Sequence, residues 1–155
     1  MRSIRAAAEW RPVAAFVAVL ALAFSVAAIV KRPPPDFAAL APIAVVRDAA
    51  HRPLWEIRLA RAAHQIAIDS IAAAPPPAGR AYQLWLALPD GGHSLGLMPV
   101  AGRKLVPEIP AIVDRLAGSG ELLVTLEPAR GSDTGRPDGP VMFRAVIPAP
   151  PSPPR

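Results

Sequence analysis

Three histidines, His51, His64 and His93, are the first residues to test for metal or acid–base chemistry. They are 13 and 29 residues apart, with no H-x-x-x-H or H-E-x-x-H pair, so no local element sets two of them on one face to share an ion. They read as surface or loop residues. Asp133 and Asp138 lie in GSDTGRPDGP, but a calcium loop needs regularly alternating ligands and a closing Glu, and neither is present. That segment reads as a Gly- and Pro-rich turn. Ser70, Ser94, Ser119 and Ser132 lack the G-x-S-x-G elbow that would expose a nucleophile. With no cysteine in the chain, disulfides, thiolate zinc sites, iron–sulfur clusters and cysteine nucleophiles are excluded. The expectation is a protein that is not an enzyme, with no metal, no cofactor and no evident small-molecule substrate.

The elements that would carry these residues repeat with period two, the period of strands. In PLWEIRLA, Trp55, Ile57 and Leu59 alternate with Glu56 and Arg58, which predicts a half-buried strand. HQIAIDSI sets Ile66 and Ile68 against Gln65 and Asp69. AYQLWLAL, residues 81–88, is apolar on both faces except at Gln83, which predicts a central strand covered on both sides. ELLVTLEP places Leu122, Val124 and Leu126 opposite Thr125 and Glu127, and VMFRAVI alternates in the same way. With residues 43–47 and 94–97, the count reaches about seven strands, and the expected fold is all-β: a small, immunoglobulin-like β-sandwich. Residues 109–117, IPAIVDRLA, suit one short helix ended by Gly118. No internal repeat is present.

A chain of 155 residues has room for one domain, and its 21 prolines and 10 glycines exclude a helical bundle of ordinary composition. The net charge of +5 is concentrated near the N-terminus. Arg2, Arg5, Arg11, Lys31 and Arg32 face only Glu9, whereas the remaining residues carry twelve Lys or Arg against eleven Asp or Glu. Without clustered cations in the folded part, nucleic-acid binding is not expected. Between the basic flanks runs PVAAFVAVLALAFSVAAIV, whose nineteen residues would make roughly 28 Å of helix. It reads as a single membrane span, with a cleaved signal peptide as the alternative. The positive-inside rule leans weakly toward a cytoplasmic N-terminus. The expected organisation is a short cytoplasmic tail (1–11), a transmembrane helix (12–30), a Pro-rich linker (31–39), an extracytoplasmic domain (40–147) and a disordered Pro-rich tail (148–155).

GRAYQLWLALPDGGHSLGLMPVAG followed by LLVTLEPARGSDTGRPDGPVMF resembles the C-terminal domain of the anti-sigma-K factor (RskA) family. The residues that carry the resemblance are Tyr82, Leu84, Trp85, Leu95, Gly96, Pro99, Leu126, Glu127, Pro128, Gly131, Ser132, Thr134, Gly135, Pro137, Gly139 and Pro140. They are expected to be structural rather than catalytic. The resemblance covers residues 43–147 and implies a bacterial inner-membrane protein with one span and an extracytoplasmic β-rich domain. It also implies regulation of a sigma factor, hence of transcription, with sigma and anti-sigma proteins as partners. About eleven residues precede the span, too few for the family's sigma-binding zinc domain, so regulation is expected to need a separate sigma-binding partner. An envelope ligand-binding or structural module without a sigma-factor role is the alternative.

Overall fold

The computed structural model describes residues 35–89 and 91–149. The predicted cytoplasmic tail, membrane span and first linker residues lie outside the described residues, as does the tail beyond Ala149. No described helix is long and apolar enough to cross a membrane.

Two four-stranded antiparallel sheets pack face to face. The first has the order β1 (Pro42–Arg47), β2 (Pro53–Ala60), β3 (Gln65–Ser70), β6 (Arg103–Pro107). The second has the order β5 (His93–Leu97), β4 (Arg80–Leu86), β7 (Gly120–Pro128), β8 (Val141–Ile147). β1, β2 and β3 form a meander because their connections are short. The first turn is held by Asp48, whose Oδ1 accepts from the backbone N–H groups of Ala50 and Arg52, each at 2.9 Å. His51 takes the left-handed conformation there, as His64 does after β2. The loop containing Pro75, Pro76 and Pro77 then carries the chain to the second sheet.

Alternation decides which side chains enter the core. Ile57, Ile66 and Ile68 of the first sheet meet Leu84, Leu122, Val124 and Ile147 of the second, all at most 2% exposed. Each such side chain contributes about 1.5–3 kcal/mol when fully buried. Trp55, Tyr82 and Phe143 stack edge to face across the sheets, with ring centroids 5.4–6.1 Å apart. Among the described residues one α-helix, α1 (Pro110–Leu116), closes one flank by inserting Ile112, Val113 and Leu116.

The structure departs from the expectation in three ways. Among the described residues there are eight strands, because RKLVP forms β6; its residues are half-buried or exposed throughout, so no apolar alternation advertised it. The strand order is not that of an immunoglobulin domain, in which the first sheet takes the fourth and fifth strands; here the meander keeps β3 with β1 and β2, and β6 completes that sheet. Residues 36–39 of the expected linker pack on the domain. Phe37 is 3% exposed and packs with Ala60 and Ala67 on the outer face of the first sheet.

Candidate functional site: a polar lattice beneath the 129–140 loop

β4 and β7 are the central strands of the second sheet, paired from Arg80↔Pro128 to Leu86↔Leu122. Period two sends Leu84 and Leu86 inward and Gln83 and Trp85 outward. On β7 the same rule sends Thr125 and Glu127 outward, where sequence alternation alone would leave them in solvent. They are instead fully buried, because the 129–140 loop between β7 and β8 folds back over them.

What permits that burial is a continuous chain of hydrogen bonds. Trp85 Nε1 donates to Thr125 Oγ1 at 2.8 Å, and Thr125 Oγ1 donates to Glu127 Oε1 at 2.6 Å. The Glu127 carboxylate then accepts from the backbone N–H of Asp138 at 3.1 Å and, through both oxygens, from that of Gly139 at 3.0 and 3.1 Å. Its acceptors thus tie the far end of the loop to the sheet. Gln83 ties the near end: its Oε1 accepts from Ser132 N at 2.8 Å while its Nε2 donates to Ser94 Oγ at 2.7 Å. Among the described residues, no buried side-chain nitrogen or oxygen lacks a partner. A buried polar network so completed rigidifies and specifies its surroundings.

Outside this lattice the loop is internally braced. Thr134 Oγ1 and Ser132 Oγ both donate to Asp138 Oδ2, at 2.6 and 2.7 Å. These hydroxyls hold the Asp138 carboxyl below the usual carboxylate pKa. One glycine is required by space and a second by its backbone conformation. A Cβ on Gly139 would come within 2.8 Å of the Leu126 carbonyl carbon and closer still to its oxygen, both backbone atoms that cannot rotate away. Gly131 has φ +94°, and a Cβ there would approach Gln83 Oε1 to 2.8 Å.

The residues singled out in the sequence fall into two groups. Glu127, Gly131, Ser132, Thr134 and Gly139 join Trp85 in or around the lattice, and Gly135 turns the loop with φ +73°. Pro140 O accepts from Leu126 N at 3.1 Å and Pro128 O from Gly131 N at 2.8 Å, so both prolines anchor the ends of the loop by their carbonyls. Pro137 is half-buried in the same loop. Leu84 and Leu95 are core residues, and Tyr82 belongs to the aromatic cluster. Gly96 has φ +92°, near the bulge between β4 and β5, and Pro99 O accepts from Trp55 Nε1 at 2.7 Å.

Sequence reasoning missed Gln83, Ser94, Thr125 and Asp138 as lattice members. The signal for Gln83 was its place as the one polar residue in an otherwise apolar strand. The histidines are not brought together. His51 and His64 occupy separate turns, and His93 Nε2 lies 3.0 Å from Glu108 Oε2, linking β5 to the end of β6. Among the described residues, no group of three or more His, Cys, Asp or Glu is placed to hold a metal. The arrangement is a latch that fixes a surface loop.

Comparison with known proteins bears on the same residues. The profile of "Anti-sigma-K factor rskA, C-terminal" matches residues 11–141. A protein called anti-sigma-K factor RskA from Mycolicibacterium vanbaalenii is 40% identical over 67 residues, which is 43% of this chain and 26% of that protein. One of the same name from Mycobacterium sp. (strain KMS) is 39% identical over an equal stretch. The matched stretch thus spans about a quarter of the length of these relatives. No solved structure matches the chain. With a family profile running through both central strands, the loop they support and most of the rest of the chain, this protein belongs to the anti-sigma-K factor RskA C-terminal family.

Proposed function

We propose that the chain is a membrane-anchored, extracytoplasmic regulatory module of a sigma-factor control system, working by protein contact rather than catalysis. The observation that carries this reading is the extent of the family match, which begins at Arg11 and takes in the charge-free segment 12–30 as well as the sandwich as far as the start of β8. The relatives named anti-sigma-K factor RskA support the regulatory role. The latched loop supports action by contact. A rigid, fully satisfied surface offers a partner a preorganised shape, whereas a catalytic site would need a perturbed titratable group in a cleft. In this reading the segment 12–30 lies in the bacterial inner membrane with the N-terminus in the cytoplasm. The sandwich stands outside, and the sigma factor is reached through other components of the system.

The test is a reporter that is active only outside the cytoplasm, fused after Arg155, combined with co-immunoprecipitation from native membranes. The expected result is reporter activity in the membrane fraction and co-recovery of a sigma-factor regulatory protein. A soluble, shortened product starting near Ala28 would overturn the anchor. Native membranes that yield the intact chain without any such regulator would overturn the regulatory role.

A further inference from the structure

Each four-stranded sheet ends in two edge strands, and an edge strand offers a row of unpaired backbone groups to which another chain can add. Three of these edges are blunted. β1 begins at Pro42, and its pairing with β2 is irregular at both ends. β5 has only five residues and turns at Gly96, φ +92°, beside a bulge. β6, also five residues long, carries Arg103 and Lys104 and ends in Pro107. Lys104 lies opposite the core residue Ile68, so it points inward, and its Nζ donates to Leu97 O of β5 at 2.7 Å. β8 has none of these devices after one irregularity at Met142. It has seven residues, with no proline, glycine or lysine, and its one charge, Arg144, is paired with Glu121 at 2.9 Å. β1 lies alongside β8, but no backbone hydrogen bond joins them.

The hydrogen bonds of β7 show which groups of β8 are left over. Leu126 N donates to Pro140 O at 3.1 Å, which aims the backbone groups of Leu126 at β8, and every second residue of β7 repeats that aim: Val124, Leu122 and Gly120. Glu121 O, accepting from Ala87 N at 2.9 Å, faces the other way, as the alternation requires. The β8 partners of Val124, Leu122 and Gly120 are Phe143, Ala145 and Ile147. The N–H and C=O groups of Arg144 and Val146 therefore point away from β7. Their side chains are exposed as well, that of Val146 leaving the residue 72% exposed. The usable edge has definite ends. Met142 is the extra residue of the bulge, with no β7 residue opposite it, and Pro148 has no N–H. Between them lie residues 143–147, with Ala145 at the centre.

We propose that β8 pairs antiparallel with β8 of a second copy of this chain about a two-fold axis at Ala145, joining the two β5-β4-β7-β8 sheets into one continuous sheet. In that register Arg144 of each copy stands opposite Val146 of the other. These are the residues whose N–H and C=O groups face outward, so each such pair exchanges both of its hydrogen bonds across the axis. The charges suit the same register. Glu121 lies opposite Val146, so Glu121, Val146 and Arg144 of the second copy stand in one row on one face. The two charged residues are then about 10 Å apart at the backbone, within reach of an arginine side chain, and each Glu121 is shared by an arginine from either copy. Moving the axis to Arg144 would set Arg144 against Arg144 and draw the bulged Met142 into the ladder. Moving it to Val146 would set Arg144 against Pro148, which cannot donate.

Sedimentation equilibrium of the full-length chain in density-matched detergent, over a concentration series, reads the association directly. The expected result is a species of twice the chain mass of 16.3 kDa. Val146→Lys puts a charge on the edge while leaving every bond to β7 in place, so it should return the mass to that of one chain and keep the melting temperature within a few degrees of the parent's. Because the chain has no cysteine, introduced thiols test the register independently of that variant. Differently tagged Arg144→Cys and Val146→Cys chains are mixed in a thiol–disulfide buffer. Opposed residues of a hydrogen-bonded pair have Cα atoms about 5.5 Å apart, within disulfide range. Their mixed disulfide should therefore form severalfold faster than that of either chain with an Asp114→Cys chain, whose thiol is exposed on α1. A chain that keeps the mass of one copy throughout the series would overturn the pairing. A dimer that survives Val146→Lys would be held elsewhere and would overturn it too. Mixed disulfides that form no faster than those of the Asp114→Cys control would overturn the register and the two-fold at Ala145.

Discussion

Replacing Glu127 by alanine removes one side chain and strands three donors: the Thr125 hydroxyl and the backbone N–H groups of Asp138 and Gly139. A buried donor left without a partner costs about 1–3 kcal/mol, so at the lower end of that range Glu127→Ala should destabilise the sandwich by about 3 kcal/mol. Against a total of about 5–15 kcal/mol for a domain, that is a large share. Glu127→Gln keeps an oxygen at the Oε1 position, which receives three of the four hydrogen bonds, and turns an N–H toward Gly139; its cost should be about 1 kcal/mol. Thr125→Val strands Trp85 Nε1 and should cost about 1–2 kcal/mol. Because Thr125 and Glu127 touch, the double variant should cost less than the sum by at least about 0.5 kcal/mol. Urea unfolding of the compact unit 35–155, followed by tryptophan fluorescence, measures all four, since Trp55 and Trp85 are its only tryptophans and both are buried. If Glu127→Ala and Glu127→Gln fall within about 0.5 kcal/mol of each other, the acceptors on that carboxylate do not hold the loop, and the latch is refuted.

Two further outcomes follow from the same geometry. Gly139→Ala should destabilise by about 1–3 kcal/mol or more, because its Cβ meets the Leu126 backbone, whereas Gly135→Asn, at an open position with positive φ, should change stability by only a few tenths; the melting temperatures of the two variants make the comparison, and equal shifts would contradict it. Asp69, hydrogen-bonded chiefly to Arg103 and also to Arg58, has its pKa held below the ordinary carboxylate value in the folded protein. It therefore contributes stability that is present above its unfolded pKa of about 3.9 and is lost as pH falls through the lower folded value. Stability measured across the acid range should fall below about pH 4, and Asp69→Asn should be less stable at neutral pH with a shallower acid decline.

Most of the strands were legible because a strand with one face on a core must alternate. PLWEIRLA, HQIAIDSI, ELLVTLEP and VMFRAVI carry that alternation in plain view, and the structure places each in the expected state. The short helix expected over residues 109–117, before Gly118, matches the structure within a residue at either end. RKLVP was not legible, because an edge strand bound on one side only needs no apolar face; its pairing with β3 is a non-local backbone contact that leaves no local pattern. The family residues could be picked out from their order and spacing, but their roles could not. Thr125 and Glu127 look like the solvent face of a strand until a loop begun at Ala129 returns over them and offers the N–H groups of Asp138 and Gly139. Phe37 likewise reads as part of a proline-rich spacer until Ala60 and Ala67, brought together by the pairing of β2 and β3, make a seat for its ring. Side-chain periodicity reports what a segment buries against its own sheet. What covers the other face depends on where distant chain returns, and on whether that chain brings donors to satisfy a buried carboxylate.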